Sequence, residues 1–303
     1  MLHVSKSMIY ELIRQGEITS YKVGRKVRFM ESDVKKFIAQ SREKQAKAGA
    51  ARAAAQGDGS GRSGAALQEG HRGFVICGQD LILDVLSSYM AGAGIPALRS
   101  YTGSYDSLIA LYKGQVDVAS AHLWDGTADQ YNIPYVRALL PGMRTVIVRF
   151  VSRWQGLYVQ QGNPKNIKGW EDLQREDIRM VNREYGAGSR VLLDEHLKQL
   201  GIYGSSIAGY RRMVPTHLAV ASAVGRGEAD VGVGTEKIAH QVEHVEFIPL
   251  QQERYDLVLR REDMERPEIA ALLRIVRMDA FQQEFSSVGG YGIDGMGAIV
   301  AEL

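Results

Sequence analysis

The sequence predicts an α/β fold in which a two-lobed domain follows a small basic head. From residue 73 onward, short apolar segments alternate with amphipathic segments of helical period, a pattern typical of a mostly parallel sheet covered by helices. The alternation is interrupted by a long stretch at residues 145–164 and restarts after it, which predicts two lobes joined by crossing strands, with a cleft between them. Residues 43–71 contain almost no large apolar side chain and separate the head from this domain.

The composition of the 303-residue chain, with 45% hydrophobic and 24% charged residues, is typical of a soluble globular protein. No apolar segment approaches the roughly 20 residues of a membrane-spanning helix, and the N-terminus lacks the apolar core of a signal peptide. We therefore expect a cytoplasmic protein without a membrane partner. The single cysteine, Cys77, has no Cys or His nearby at metal-ligand spacing, so we expect a small buried residue and no metal site.

Charge is distributed unevenly along the chain. Residues 1–42 hold nine Lys or Arg against four Asp or Glu, whereas residues 73–303 hold 23 against 28. A basic module on an acidic body is suited to bind a polyanion, so the head is predicted to have a task different from that of the body.

The head is predicted to fold as a helix, a hairpin and a closing helix. Ser5 is suited to cap the first helix, which ends at Gly16, and residues 18–29 form two short strands. The closing helix begins at residues 32–38. Short polar and basic side chains on the helix and hairpin suit a major groove flanked by phosphates. The candidate DNA contacts are Lys6, Ser7, Tyr10, Arg14, Arg25, Lys26 and Arg28.

The segment VSKSMIYELIRQGEITSYKVGRKVRF, residues 4–29, resembles the recognition helix and wing of excisionase-type (MerR-like) winged helix-turn-helix modules. The resemblance implies double-stranded DNA as a partner. In that family a positioning helix precedes the Val-Ser pair, and here only Met1, Leu2 and His3 do. We expect a head without its first helix, either because the native chain begins further upstream or because this copy has lost the helix. From the charges alone, an equally good interpretation is a small domain whose charged side chains only keep it soluble and bind no DNA.

Three parts are therefore predicted. They are the winged helix-turn-helix head at residues 1–42, a flexible linker at residues 43–71, and a ligand-sensing domain at residues 72–303.

The sequence of the body predicts its elements in order. In the first lobe we expect strands at 73–77, 97–101 and 116–121, and helices at 81–90 and 105–112. In the second lobe we expect strands at IRMVNRE, AGYRRM and ADVGVG, and helices at 189–200 and 217–225. The chain is expected to return near ERYDLVLRRED, and a helix at 267–284 closes the domain.

Three predicted strand-to-helix loops carry polar groups suited to bind an anion. They are residues 101–104, 182–190 and 215–217, and they combine glycines, hydroxyls and guanidinium groups. Helix N-termini carry unpaired N–H groups and a partial positive charge. Because ligands of α/β domains bind at the carboxyl ends of strands, these loops predict a site for a small oxyanion or carboxylate.

The body also resembles the periplasmic-binding-protein-like domain found fused to helix-turn-helix heads and to molybdenum cofactor biosynthesis proteins. The matching segments include TGSYDSLIALYKGQVDVASAHLWD, VNREYGAGSRVLLDEHL and GYRRMVPTHLAVASAVGRGEADVGVG. The resemblance implies a bilobed type II binding-protein fold with molybdate or tungstate as the favoured ligand and no cofactor. The site it implies consists of Gln79, Asp80, Thr102, Gly103, Ser104, His122, Arg183, Gly188, Ser189, Arg190 and Thr216.

Asp80 is an unexpected residue in a site for a dianion. Either its carboxylate orients an arginine or a hydroxyl, or the ligand carries a cationic or hydroxyl group. The second alternative keeps small organic acids open as ligands.

Two other sequence motifs give weaker signals of function. Residues 240–244 match the H-x-x-E-H pattern of inverted zinc proteases, but no third ligand is evident, and we expect an ordinary connecting helix. Residues 290–295 match G-x-G-x-x-G, but they follow no strand, so we expect a glycine-rich terminal loop. Because no catalytic arrangement of residues is evident, we expect no enzymatic activity.

These patterns together predict a ligand-responsive transcriptional regulator. We expect a homodimer, because one small head buries too little DNA for tight specific binding. The alternative is a stand-alone binding protein for an oxyanion or organic acid that carries a vestigial head.

Overall fold

The computed structural model describes two short strands of the head and residues 73–303. The chain divides into two compact units, Met1–Glu69 and Gly70–Leu303. In the first unit, β1 (Tyr21–Val23) pairs antiparallel with β2 (Lys26–Arg28), which confirms the predicted hairpin. The remaining predicted features of this unit lie outside the described residues: the recognition and closing helices, the linker, and the DNA contacts Lys6, Ser7, Tyr10, Arg14 and Arg25.

The second unit contains eleven strands within the described residues: β3 (Phe74–Cys77), β4 (Ala97–Ser100), β5 (Val118–Ala121), β6 (Trp124–Asp125), β7 (Gln130–Tyr131), β8 (Thr145–Gln160), β9 (Met180–Arg183), β10 (Met213–Val214), β11 (Val231–Thr235), β12 (Val245–Arg260) and β13 (Ile299–Glu302). Nine of them form one sheet with the order β10-β9-β11-β8-β12-β5-β3-β4, in which β13 pairs with β8. A separate two-stranded sheet consists of β6 and β7.

Two long antiparallel strands, β8 and β12, cross between the lobes. The first half of β8 pairs with the second half of β12, which also pairs with β5, whereas the second half of β8 pairs with β11. The register of β8 and β12 shifts between Pro249 and Gln251 and again between Tyr255 and Asp256. The parallel strands β3, β4 and β5 define the first lobe, and the parallel strands β9, β10 and β11 define the second.

Helices cover both faces of the sheet. They are α1 (Leu81–Gly92), α2 (Ser104–Tyr112), α3 (Ile133–Leu139), α4 (Gly188–Leu200), α5 (His217–Gly225), α6 (Glu236–Ala239), α7 (Pro267–Val276) and α8 (Asp279–Val288). Short 3-10 helices lie at Trp170–Gln174, Gly204–Ser206 and Arg261–Asp263. Every described helix is too short or too polar to cross a bilayer.

Three predicted elements differ from the structure. The predicted closing helix is interrupted at Met278, whose extended backbone lets α8 pack Phe281 and Phe285 into the core that α7 also contacts. The strand predicted at AGYRRM lies later, at Met213–Val214, because a turn at Gly209, with φ +83°, approaches the Met180 carbonyl. The helix expected at residues 240–244 ends at Ala239.

Within residues 73–303, the apolar core consists of four clusters, and each lobe contains two of them. Ile76, Leu86 and Phe150 belong to one cluster of the first lobe, and Leu108 and Ile147 belong to the other. The second lobe packs one cluster around α4 and one around α5. This packing fixes the strand ends that carry the polar loops.

Candidate functional site

A cavity of about 310 Å³ lies between the two lobes. The polar loops of both lobes and the crossing strands β8 and β12 line it. Eight of the predicted site residues line the cavity: Gln79, Asp80, Thr102, Gly103, Ser104, His122, Arg183 and Gly188. The other three, Ser189, Arg190 and Thr216, are not among its lining residues.

Glycines allow the two lobes to approach each other closely beside the cavity. A Cβ atom at Gly103, just before α2, would lie 2.9 Å from the Gly186 carbonyl oxygen of the second lobe. The Tyr105 N–H donates to that same oxygen at 3.0 Å. A Cβ at Gly188 would lie 2.3 Å from the ring of His122. The two lobes therefore meet at close contacts that a side chain at Gly103 or Gly188 would block.

Asp80 holds a buried arginine of the crossing strands. Its carboxylate accepts from Arg153 Nη1, from the Ile82 N–H at 2.9 Å and from the Tyr291 hydroxyl at 2.6 Å. Both oxygens of Asp80 are therefore occupied by groups of the protein. The structure thus shows the first of the two arrangements considered for this aspartate, in which it orients an arginine.

Arg153 is 7% exposed and is held on three sides. Its Nε donates to Glu253, its Nη1 donates to Asp80, and its guanidinium carbon lies 4.5 Å from the centre of the Tyr255 ring. Within the described part of the chain, Nη2 makes no hydrogen bond, so this nitrogen is left to donate to a ligand.

The carboxylate of Glu253 is buried and satisfied by three donors. In addition to Arg153, it receives hydrogen bonds from Gln155 Nε2 at 2.7 Å and His122 Nδ1 at 2.8 Å. Burial alone would raise the pKa of this carboxyl, but Arg153 and His122 outweigh burial and lower the pKa to about 2. Glu253 is thus ionised and links the arginine to the histidine.

Arg183, at the end of β9, is the second buried guanidinium of the cavity, with 1% exposure. Its Nη2 donates to Gln79 Oε1 at 2.8 Å, across the cleft, and to the Pro215 carbonyl at 3.1 Å. Glu184 accepts from its Nε at 3.0 Å. Among the described residues, Arg183 Nη1 has no hydrogen-bond partner, so it too is left for a ligand.

His217, the first residue of α5, also lines the cavity. Its Nδ1 is buried and makes no hydrogen bond within the described residues. Burial, together with Arg183, Arg153 and His122, holds the pKa of this imidazole well below its ordinary value. The side chain is therefore neutral near pH 7.

The three predicted residues outside the lining have other contacts. Arg190 packs between the rings of Tyr185 and Tyr210, 4.6 and 4.1 Å from their centres, and pairs with Asp194 at 2.9 Å. Thr216 caps α5 by accepting from the Ala219 N–H at 3.0 Å. The buried Ser189 Oγ and Arg190 Nη2 make no hydrogen bond within the described residues.

Several lining residues lie outside the site and the loops that the sequence predicted: Ser120, Arg153, Lys237, Tyr255 and Tyr291. Tyr291 comes from the glycine-rich terminal loop, where Gly289 and Gly290 have positive φ. Lys237 Nζ lies 4.4 Å from the centre of the Tyr291 ring. Cys77, which was expected to be a buried small residue, is fully buried, and its Sγ lies 2.9 Å from Thr102 Oγ1.

Two guanidinium groups, helix N-termini and hydroxyls therefore line one cavity. Such a set of donors can bind a small anion without further groups. In the described residues, no group of three or more His, Cys, Asp or Glu is arranged to hold a metal ion. The five residues of the H-x-x-E-H pattern do not share one helix, since His244 has φ +64° and α6 ends at Ala239.

Comparison with known proteins places this fold in a family. The family model of the PBP (periplasmic binding protein) superfamily domain matches residues 87–277, more than half of the chain. The chain belongs to the PBP superfamily. The protein YvgK of Bacillus subtilis (strain 168), described as uncharacterized, is 39% identical over 303 residues, which cover 100% of this chain and 95% of that protein.

Solved structures share the bilobed type II PBP fold. A protein from Clostridium perfringens, named as a phosphate ABC transporter substrate-binding protein with bound phosphate, matches with a TM-score of 0.55 and 12% identity. The match covers 73% of this chain and 99% of that one. A histidine kinase sensor domain with similarity to PBPs matches with a TM-score of 0.52 and 16% identity, over 73% and 97% of the two chains. At these identities the likeness shows the fold alone.

The head has a family match of its own. A helix-turn-helix domain model matches residues 1–42. The chain therefore combines a helix-turn-helix domain with a PBP superfamily domain, which is the composition of a DNA-binding regulator with a ligand-binding domain.

Proposed function

We propose that this protein is a transcriptional regulator whose PBP domain senses a small oxyanion, with molybdate or tungstate as the ligand. The observation that carries the proposal is the pair of buried guanidinium groups, Arg153 and Arg183, which line one cavity between the lobes and each keep one nitrogen without a partner in the described residues. Charge-assisted hydrogen bonds from guanidinium groups suit tetrahedral oxyanions. The ligand would add contacts to both lobes and so favour the closed state.

In this proposal the protein acts in the cytoplasm as a homodimer, because two heads are needed for a specific operator. Anion binding changes the equilibrium between the open and closed domain, and that change alters how the paired heads meet DNA. Ser189, Arg190 and Thr216 would then support the loops behind the cavity, whereas Arg153 and Arg183 would contact the anion.

The test is the affinity of the full chain for a labelled duplex from upstream of its own gene, measured by fluorescence anisotropy with and without molybdate or tungstate. We expect the anion to change the affinity by about tenfold, a coupling free energy of about 1.4 kcal/mol. Arg183→Gln should abolish the response, whereas Arg137→Gln, an exposed site on α3, should preserve it. DNA affinity that is identical with and without each anion would contradict the proposal.

A second candidate is a stand-alone binding protein for a small organic acid. The cavity of about 310 Å³ is larger than one tetrahedral oxyanion needs. Leu81, Ile238 and Tyr255 add apolar surface to its lining. Binding of a carboxylate to a chain that does not retain DNA would favour this candidate.

A further inference from the structure

Among the described residues, Lys237 is the cavity cation that forms no ion pair. It is the second residue of α6, directly after β11, and its half-buried side chain lines the cavity. Its Nζ lies 4.4 Å from the centre of the Tyr291 ring and donates to the Tyr291 hydroxyl at 3.4 Å. The ammonium therefore rests on an aromatic side chain, which is a weaker partner than a carboxylate.

The two arginines of the cavity are held in a different way. Both form ion pairs, which join Arg153 to Asp80 and Glu253, and Arg183 to Glu184. These two guanidinium groups and three carboxylates carry one excess negative charge, and Lys237 brings the total for arginine, lysine and carboxylate groups to zero. The arginines therefore enter binding with their positive charge already compensated.

The arginines still offer donors to a ligand. Arg153 Nη2 and Arg183 Nη1 have no hydrogen-bond partner in the described residues, and neither nitrogen is fully buried. Such donors fix the positions of ligand oxygens. They do not supply the net positive charge that an anion needs in a partly enclosed, poorly hydrated space.

Lys237 is free to supply that charge. Burial lowers the pKa of its ammonium, Asp80 raises it and Arg153 lowers it, so an anion beside Nζ would favour the charged form. A lysine ammonium is a compact charge on a flexible stem, and its contact with the Tyr291 ring is weak enough to be exchanged for a contact with a ligand.

We propose that Lys237 supplies the counter-charge for the bound oxyanion and so makes the site prefer a dianion to a monoanion of the same shape. This inference rests on the proposed anion site. Arg153 and Arg183 orient the oxygens of the ligand from the crossing strand β8 and the end of β9, and the Lys237 ammonium turns from Tyr291 to the anion. Shape and charge are thus recognised by different residues.

Two anions separate these contributions. Tungstate and perrhenate are both tetrahedral, with four oxygens and closely similar size, but tungstate carries two negative charges and perrhenate carries one. Donors that recognise only the oxygens treat the two ions alike. The Coulomb energy of an ammonium beside the ligand is proportional to the charge of the ligand, so loss of Lys237 should weaken tungstate binding more than perrhenate binding.

The experiment is calorimetric titration of the full chain with tungstate, molybdate and perrhenate. Lys237→Met keeps the length of the side chain without its charge. We expect it to weaken tungstate and molybdate binding by about tenfold or more and perrhenate binding by about threefold, half as much in free energy. Lys237→Arg should restore the preference for the dianions. Lys113→Met, at an exposed position at the end of α2, is the matched control and should bind like the wild type.

The outcomes distinguish this inference from the proposed function. Thermal unfolding without added anion should be similar in all variants, because the Lys237 side chain is only half-buried. Tungstate binding that is unchanged in Lys237→Met, or equally weakened for tungstate and perrhenate, would overturn the role of Lys237 and leave the anion site standing. If perrhenate binds too weakly to measure, failure of Lys237→Arg to restore tungstate affinity would overturn it. Absence of binding by all three anions in the wild type would overturn both the oxyanion ligand and the inference that rests on it.

Discussion

Individual charged residues of the cavity are stabilised by networks rather than by single pairs. Glu253 accepts from Arg153, Gln155 and His122, and Asp80 accepts from Arg153 and Tyr291. Burial and Asp80 both raise the pKa of Tyr291, so its hydroxyl stays protonated and donates. A buried charge without such partners would cost several kcal/mol. The network therefore fixes Arg153 in place while its Nη2 remains available.

Replacing Glu253 with Gln should destabilise the PBP domain by about 3 kcal/mol at neutral pH, because Arg153 would lose its most buried partner. The pKa of Glu253 is lowered from 4.5 to about 2 in the folded protein. A lowered pKa contributes stability that is complete above the unfolded value and is lost as pH falls towards the folded value. The difference between wild type and variant should therefore shrink between about pH 4.5 and pH 2.

Urea unfolding followed by circular dichroism at several pH values measures this difference. Glu243→Gln, at an exposed position, is the matched control and should unfold like the wild type. An effect of Glu253→Gln that stays the same from neutral to acid pH would show that the carboxylate charge is not what stabilises the domain.

Part of the cavity could be predicted from single residues, and part could not. Thr102, Gly103 and Ser104 could be predicted as site residues, because glycine and hydroxyl residues in the local sequence mark the N-terminus of a helix. Arg153 and Tyr255 lie within the two long crossing strands, and only the tertiary register brings them to the cavity. A signal exists for Arg153, because a charged residue inside a mostly apolar strand must find a partner.

Among the elements, the loops before α2 and α4 control how closely the lobes approach. Gly103 has φ −65°, so an alanine there would be unstrained in its own backbone. Its Cβ would nevertheless meet Gly186 O at 2.9 Å and the Ala187 Cα at 3.2 Å, and both are backbone atoms with little freedom to move. The side chain would therefore oppose closure and leave the open domain undisturbed.

Gly103→Ala should weaken anion binding by about tenfold or more and change the stability of the ligand-free domain much less. Gly92→Ala is the matched control, because nothing lies within 4 Å of a Cβ at that position. Titration calorimetry of both variants, together with their thermal unfolding, separates the two effects. Unchanged anion affinity in Gly103→Ala would contradict a role for this contact in binding.

The alternation of strands and helices was predictable because apolar periodicity dictates it locally. The starts of β3, α1 and α5 fall within a residue of their predicted positions. The break between α7 and α8 was not predictable, because both segments have helical periodicity and only packing on the common core decides their directions. The turn at Gly209 likewise depends on a carbonyl from a distant strand.

For the whole molecule, the site that we propose lies between two lobes, an arrangement in which binding can be joined to a change of shape. The long strands β8 and β12 run through both lobes, so they are the natural place for bending as the lobes open. A ligand changes the equilibrium only by its difference in affinity for the two states, and in the proposed function the contacts between the lobes would supply that difference. With a helix-turn-helix domain in the same chain, such a change is suited to control DNA binding.

The most direct test of an anion site between the lobes is thermal unfolding of the full chain with molybdate, tungstate, sulfate, phosphate and small carboxylates. We predict that one class of anion raises the Tm by several degrees. Arg183→Lys, which retains the charge but loses the two-pronged donor, should show a much smaller rise, whereas Arg137→Gln should show the full rise. An unchanged Tm with every anion, or an equal rise in Arg183→Lys, would contradict the assignment of this cavity as the binding site.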